Sequence, residues 1–283
     1  MHGAAVITGT THGIGRVTSR ELAAAGAEVV MLCRDLAAGE ELRYELRATL
    51  PRARLHVLEC DLASLASVRT CAARLRAEHP RIGLLINNAG TVNLAHRRSL
   101  DGFELTFATN YLGPFLLTGL LQPQLGRGAR IVNVASRIHY RGQLDLESVT
   151  DPRAAYSSQR AYAQSKLANV LHTFALARRL ADSQVSVNCL HPGVVATNLL
   201  PRWLRLVKPL ISRPVFDAER GARTTLHLAL DERVAGLSGL YFDEHQRPQP
   251  AAPLARDLGL QEALWSASCR WVGVDSPRLP SAH

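Results

Sequence analysis

Short apolar runs rich in β-formers recur along the chain at residues 4–8, 27–33, 54–59, 82–87, 129–135, 184–191 and 239–243. Between them apolar positions fall at helical spacing, over 14–25, 35–49, 64–78, 101–124, 155–182 and 217–231. Near-continuous apolar strands alternating with helices specify βαβ units, and so a mostly parallel sheet covered on both faces. The Pro-rich stretch 247–253 reads as a loop before a last helix over about 254–272. No repeat and no long linker divides the chain, so residues 1–283 are expected to form a single α/β domain.

Composition narrows the function classes. The 283 residues are 47% hydrophobic, enough for one large core, and 20% charged, which argues against extended disorder. A net charge of +9 invites a nucleic-acid reading. The arginines are scattered, however, with no basic run interleaved with aromatics, so no nucleic-acid partner is expected. A basic surface suits anionic cofactors or lipids equally well. Cys33, Cys60, Cys71, Cys189 and Cys269 stand apart, without a CxxC pair or a metal-ligand spacing. The expectation is a reducing, cytoplasmic setting and no metal. No 18-residue apolar run is present to span a membrane.

The first strand leads into Thr8-Gly9-Thr10-Thr11-His12-Gly13-Ile14-Gly15, and a helix follows. Glycines let the backbone approach a pyrophosphate, while the helix N-terminus offers free N–H groups and a positive dipole end. A glycine-rich stretch alone is an ordinary turn; the strand before and helix after make it a dinucleotide cradle. An acid ending the second strand would accept a ribose 2′-OH, whereas an arginine accommodates a 2′-phosphate. Here Arg34 follows Cys33, which favours NADP(H), with NAD(H) as the alternative. Asp35 either caps the next helix or competes for the ribose.

Tyr162 and Lys166 stand one helical turn apart, on one face. A phenol with its ordinary pKa near ~10 is a poor base at neutral pH, and a neighbouring cation favours the phenolate. Only Lys166 and Lys208 are lysines among 33 basic residues, so a lysine at this place is informative. Ser136 follows the fifth strand, where a parallel sheet presents functional groups at its carboxyl edge. A strand-end serine equally often caps a turn. His139, Tyr140, Tyr156 and His191 are assigned no chemistry.

These motifs together resemble the short-chain dehydrogenase/reductase superfamily over nearly the whole chain. The glycine spacing is its TGxxxGxG; Asp61-Leu62, Asn87-Asn88-Ala89-Gly90, Tyr162 with Lys166, and Pro192-Gly193 with Thr197 follow in the family's order. The resemblance implies a Rossmann-type doubly wound parallel sheet and hydride transfer between a nicotinamide and an alcohol or carbonyl carbon. It implies Tyr162 as acid/base, Lys166 as pKa modifier and ribose ligand, Ser136 as polariser, and Asn110 as the residue holding a relay water. The implied cofactor contacts are Thr8, Gly9, Thr11, His12, Gly13, Ile14, Gly15, Arg34, Asp61, Leu62, Asn88, Ala89, Gly90, Tyr162, Lys166, Pro192, Gly193, Val195 and Thr197. A homo-oligomer is implied too.

The spacing of 26 residues between Ser136 and Tyr162, the stretch AYAQSKLA and the tail LWSASC resemble the retinol-dehydrogenase-like branch, and are similar also to the X-linked dehydrogenase/reductase. An apolar alcohol, aldehyde or ketone, such as a retinoid, a prenoid or a fatty aldehyde, is the implied substrate. A steroid or other ring ketone is the alternative on the same site. A non-catalytic dinucleotide-binding regulator is the alternative of another class, against which the set Asn110, Ser136, Tyr162 and Lys166 argues. Many animal members carry an N-terminal anchor, whereas this first strand begins three residues into the chain. The branch builds a substrate lid after Thr197, here about 198–216. Residues 201–211 gather Trp203, Leu204, Leu206, Val207, Leu210 and Ile211 on one helical face and Arg202, Arg205 and Lys208 on the other. That segment reads as a lid folded on the core, or as a peripheral contact with anionic membranes.

Overall fold

A computed structural model describes residues 3–150, 156–193 and 217–274. Eight strands build one sheet in the order β3-β2-β1-β4-β5-β6-β7-β8. They are β1 Ala4–Thr8, β2 Glu28–Cys33, β3 Arg54–Glu59, β4 Ile82–Asn87, β5 Leu125–Val134, β6 Ser186–Leu190, β7 Tyr241–Phe242 and β8 Pro248–Gln249. Only β7 and β8 pair antiparallel. The strand order reverses between β1 and β4, which opens a crevice at their carboxyl ends where doubly wound sheets bind ligands.

The helices are α1 Gly13–Ala24, α2 Leu36–Thr49, α3 Leu65–Glu78, α4 Leu105–Phe107, α5 Gly113–Leu121, α6 Ser158–Arg179, α7 Ala218–Leu230 and α8 Leu258–Val272. Successive strand residues point to opposite faces, so one strand feeds two cores. Val6, Val30, Leu85 and Ile131 pack with apolar side chains of α3, α5, α6 and α8. Their neighbours Ile7, Met31, Ile86 and Val132 pack with those of α1, α2 and α7. This double burial is why the strands read as unbroken apolar runs rather than alternating ones.

The structure corrects several boundaries. The helix expected over 101–124 begins at Leu105, because Glu104 turns its carboxylate back onto the Thr106 and Phe107 N–H groups, at 2.9 and 2.7 Å. It is also interrupted by a π turn, Ala108–Leu112, between α4 and α5. β5 starts four residues earlier than expected, through a register shift against β4. The stretch 247–253 is not all loop, since Pro248–Gln249 adds the antiparallel edge β8. The last helix begins at Leu258, after the 3-10 turn Pro253–Arg256. There the Asp257 side chain accepts from Leu260 N at 2.9 Å. α8 lies on α6: Trp265 stacks on His172 with centroids 5.6 Å apart and carries the Arg179 guanidinium 4.0 Å over its ring. The lid segment 198–216, including 201–211, lies outside the described residues, as do Val195 and Thr197.

Candidate active site

The carboxyl ends of β1, β2 and β4 form a glycine-lined cradle. Thr8 Oγ1 accepts from the Asn88 and Ala89 N–H groups, both at 3.0 Å, and Asn88 Nδ2 donates to Thr8 O and Gly9 O at 2.9 and 3.1 Å. These bonds clamp the glycine-rich loop onto the turn after β4. The approach is too close for side chains: Gly9 has φ +70°, and a Cβ on Gly15 would sit 2.2 Å from Gly9 O. α1 begins behind this loop with no side-chain cap at His12 and no acid in its first turn, so its N-terminal N–H groups remain open to an anion. Thr11 Oγ1 and His12 Nδ1 meet at 2.9 Å beside it.

At the end of β2, Asp35 caps α2 through an N–H bond from Ala38 at 3.1 Å. Of the two roles open to Asp35 in the sequence, the structure therefore occupies the capping one. Arg34 is exposed and has no hydrogen-bond or ion-pair partner among the described residues. Asp61 Oδ1 accepts from Ala63 N at 2.9 Å, and buried Leu62 packs against Gly113. The cradle and the open helix end fit the phosphate chain of a dinucleotide.

Asn110, Ser136, Tyr162 and Lys166 converge beside the cradle. Asn110 sits in the π turn, where an extra residue in the helical winding re-aims side chains, as such turns often do at functional sites. Its Oδ1 accepts from Thr91 N at 2.7 Å, and its Nδ2 donates to Thr91 O and Ser165 Oγ at 3.0 Å each. Both ends of the amide are thus engaged. A Cβ built on Gly90 would lie 3.5 Å from Lys166 Nζ and 3.6 Å from Asn110 Oδ1, so the cradle and this cluster share a wall.

The Ser136 hydroxyl hydrogen-bonds the Tyr162 phenol. Lys166 is buried in α6 one turn beyond Tyr162, with Nζ 5.7 Å from the ring centroid and donating to Val134 O at 2.8 Å. Burial lowers the Lys166 pKa to about 8. Burial raises the Tyr162 phenol above its ordinary value, and the Ser136 hydrogen bond pulls it partway back. Lys166 is turned to a backbone carbonyl, and desolvation outweighs the Ser136 hydrogen bond at the phenol. A protonated phenol held by a serine hydroxyl can give a proton to a carbonyl oxygen at the same place.

Histidines and tyrosines nearby are structural. His139 Nδ1 meets Ser136 O at 2.8 Å while Nε2 accepts from Ala252 N at 3.2 Å; burial holds its pKa down to about 4. It therefore stays neutral and fixes the turn that follows Ser136. Tyr156 OH donates to Asn93 O at 2.7 Å, anchoring the loop after Gly90.

Sequence reasoning missed a buried polar ladder under the site. Asn87 Nδ2 donates to Asn133 Oδ1 and Thr118 Oγ1 at 2.8 and 3.1 Å, and Asn133 Nδ2 donates to Thr173 Oγ1 at 2.9 Å. It ties β4 and β5 to α5 and to α6, which carries Tyr162 and Lys166. The available signal was two asparagines at matching positions of otherwise apolar strands, paired in register. It also missed Glu244, which contacts His191 before the Pro192-Gly193 turn.

The sequence matches the short chain dehydrogenase family over residues 3–205. It is 41% identical to mouse retinol dehydrogenase 14, over 97% of this chain and 87% of that one. The fold matches the crystal structure of an uncharacterised Mycobacterium paratuberculosis protein, with TM-score 0.80 and 34% identity over 98% of this chain and 96% of that one. It also matches a blue fluorescent protein from a metagenomic library, solved in complex with NADPH. There the TM-score is 0.68 and the identity 27%, over 86% of this chain and 96% of that one.

Proposed function

Because the chain belongs to the short-chain dehydrogenase family, in its retinol-dehydrogenase-like branch, and is an NAD(P)-dependent oxidoreductase, we propose that it uses NADP(H) to interconvert an apolar aldehyde and its alcohol. The observation that carries the cofactor choice is Arg34, exposed at the end of β2 and without a partner among the described residues, beside an Asp35 already committed to capping α2. A guanidinium there meets a 2′-phosphate through charge-assisted bonds, whereas the acid that would select a ribose hydroxyl is occupied. The related blue fluorescent protein bound to NADPH supports the same choice. The retinol dehydrogenase relative supports a long apolar substrate.

The bound cofactor supplies hydride chemistry at its nicotinamide ring. The α1 N-terminus and the Gly9–Gly15 approach hold its phosphates. Tyr162 gives the proton to the substrate oxygen in reduction and takes it back in oxidation. Ser136 shares a hydrogen bond with that phenol and orients the substrate oxygen. Lys166 holds the ribose and, when charged, pulls the phenol toward ionisation. Asn110 keeps the loop after Gly90 in place through its paired bonds to Thr91 and supports the proton relay.

A panel of aldehydes and alcohols of increasing chain length, assayed with NADPH and NADH at the absorbance of the reduced nicotinamide, tests this. Turnover with NADPH on long apolar aldehydes is expected. Equal use of NADH, or turnover confined to short polar substrates, would overturn the corresponding half of the proposal.

A further inference from the structure

Glu28, His56 and His79 meet at the amino-terminal edge of the sheet, the end opposite the candidate active site. Glu28 opens β2, His56 stands in β3 level with Val30, and His79 ends α3 just before β4. His79 Nδ1 lies 3.1 Å and His56 Nε2 3.2 Å from the same oxygen, Glu28 Oε1. The imidazoles meet edge to face, with centroids 4.8 Å apart. All three ligand atoms lie within 4.8 Å of one another, and among the described residues no other group of three His, Cys, Asp or Glu side chains converges in this way.

The geometry is close to a coordination shell. Ligands at metal–ligand bonds of about 2.0–2.1 Å in a tetrahedral zinc site stand roughly 3.3 Å apart. Both histidine–carboxylate separations already match that edge; only the two imidazoles must close on each other. His56, with 43% of its side chain exposed, has the freedom to do so. His79 is anchored instead: only 6% exposed, with Nε2 buried and unpartnered, it directs its polar contact through Nδ1 to the carboxylate. The other carboxylate oxygen, Oε2, is 3.6 Å from Arg54, which leaves Oε1 as the oxygen facing the rings.

We propose that Glu28, His56 and His79 bind a divalent transition-metal ion of the zinc class, with water completing the shell on the exposed side of His56. Two imidazoles and one carboxylate are borderline donors that suit zinc, and also nickel or copper, over magnesium or calcium. The site ties the start of β2 to β3 and to the α3–β4 junction. Its work is to stabilise the fold, and hydride transfer at the far edge of the sheet does not depend on it.

The test uses the full chain freed of metal by chelation and dialysis, with zinc chloride as the probe. Calorimetric titration is expected to give one equivalent bound with micromolar affinity, and Tm is expected to rise by several degrees at saturation. His56→Ala removes a half-exposed ring and is expected to fold; with Glu28→Gln it should weaken zinc binding at least tenfold and abolish the Tm rise. His245→Ala, remote from the cluster on an exposed turn, should bind zinc like the parent. No stoichiometric binding, or unchanged affinity in His56→Ala, would overturn the proposal.

Discussion

His191 Nε2 lies 2.6 Å from Glu244 Oε2, across the gap between the end of β6 and the turn after β7. Its other nitrogen, Nδ1, accepts the Gly193 N–H at 3.0 Å. The carboxylate claims the ring proton for Nε2 and so leaves the Nδ1 lone pair free, the same orienting logic by which carboxylates set histidine tautomers elsewhere. Burial lowers the His191 pKa despite the favourable pull of Glu244, which keeps the ring neutral. The Pro192-Gly193 turn, with Gly193 at φ +81°, is thereby held from behind.

If that turn positions the nicotinamide end of the cofactor, His191→Phe should raise KM for NADPH about tenfold, the cost of one lost buried hydrogen bond of about 1–1.5 kcal/mol. His191→Asn places an acceptor near the lost Nδ1 and should restore most of the affinity. Steady-state kinetics at fixed aldehyde distinguish the two. Equal defects in both variants would show that the ring only fills space.

Tyr162→Phe should lower turnover by more than a hundredfold while the dissociation constant for NADPH stays within about twofold, because only the transferable proton is removed. Fluorescence titration of NADPH, beside single-turnover rates, checks both halves. Retention of a tenth of parental turnover would remove Tyr162 from the acid/base role.

Arg34→Ala should weaken NADPH by ten- to hundredfold and leave NADH nearly unchanged, since a charge-assisted contact to a phosphate is worth about 1.5–3 kcal/mol. Parallel titrations with the two reduced cofactors measure it. A matching loss for both would show that Arg34 does not read the 2′-phosphate.

The pH profile should carry Lys166. Its pKa is lowered to about 8, so the side chain is charged below that pH and neutral above it. The Tyr162 phenol, raised by burial, keeps its proton throughout that window. Accordingly kcat/KM for NADPH, which reports the free enzyme, should fall as pH rises through about 8. Lys166→Arg, if active, should move the falling limb upward, because a guanidinium does not deprotonate there. A limb unmoved by that change would belong to another group.

Much of this molecule was legible along the chain. Strands β1 and β4 lie at the expected residues, because burial on both faces leaves unbroken apolar runs that no helix period imitates. The glycine loop and the Tyr162–Lys166 pair were visible for a related reason: a tight approach and a single helical turn are local geometries, written in neighbouring residues. What required the fold were contacts between distant segments. The π turn that aims Asn110 emerges only when elements pack, whereas the Asp35 cap is a contact three residues long that the sequence already offered as one of two roles. The tilt of Lys166 toward Val134, which lets burial rule the Tyr162 phenol, emerges from packing as the π turn does. Glu244 beside His191, and Glu28 between His56 and His79, have no spacing that betrays them. Local sequence dictates backbone winding and which faces are apolar. The polar partners of a buried side chain are set by whichever strand or helix the tertiary structure brings alongside, and no single stretch of chain encodes that neighbour.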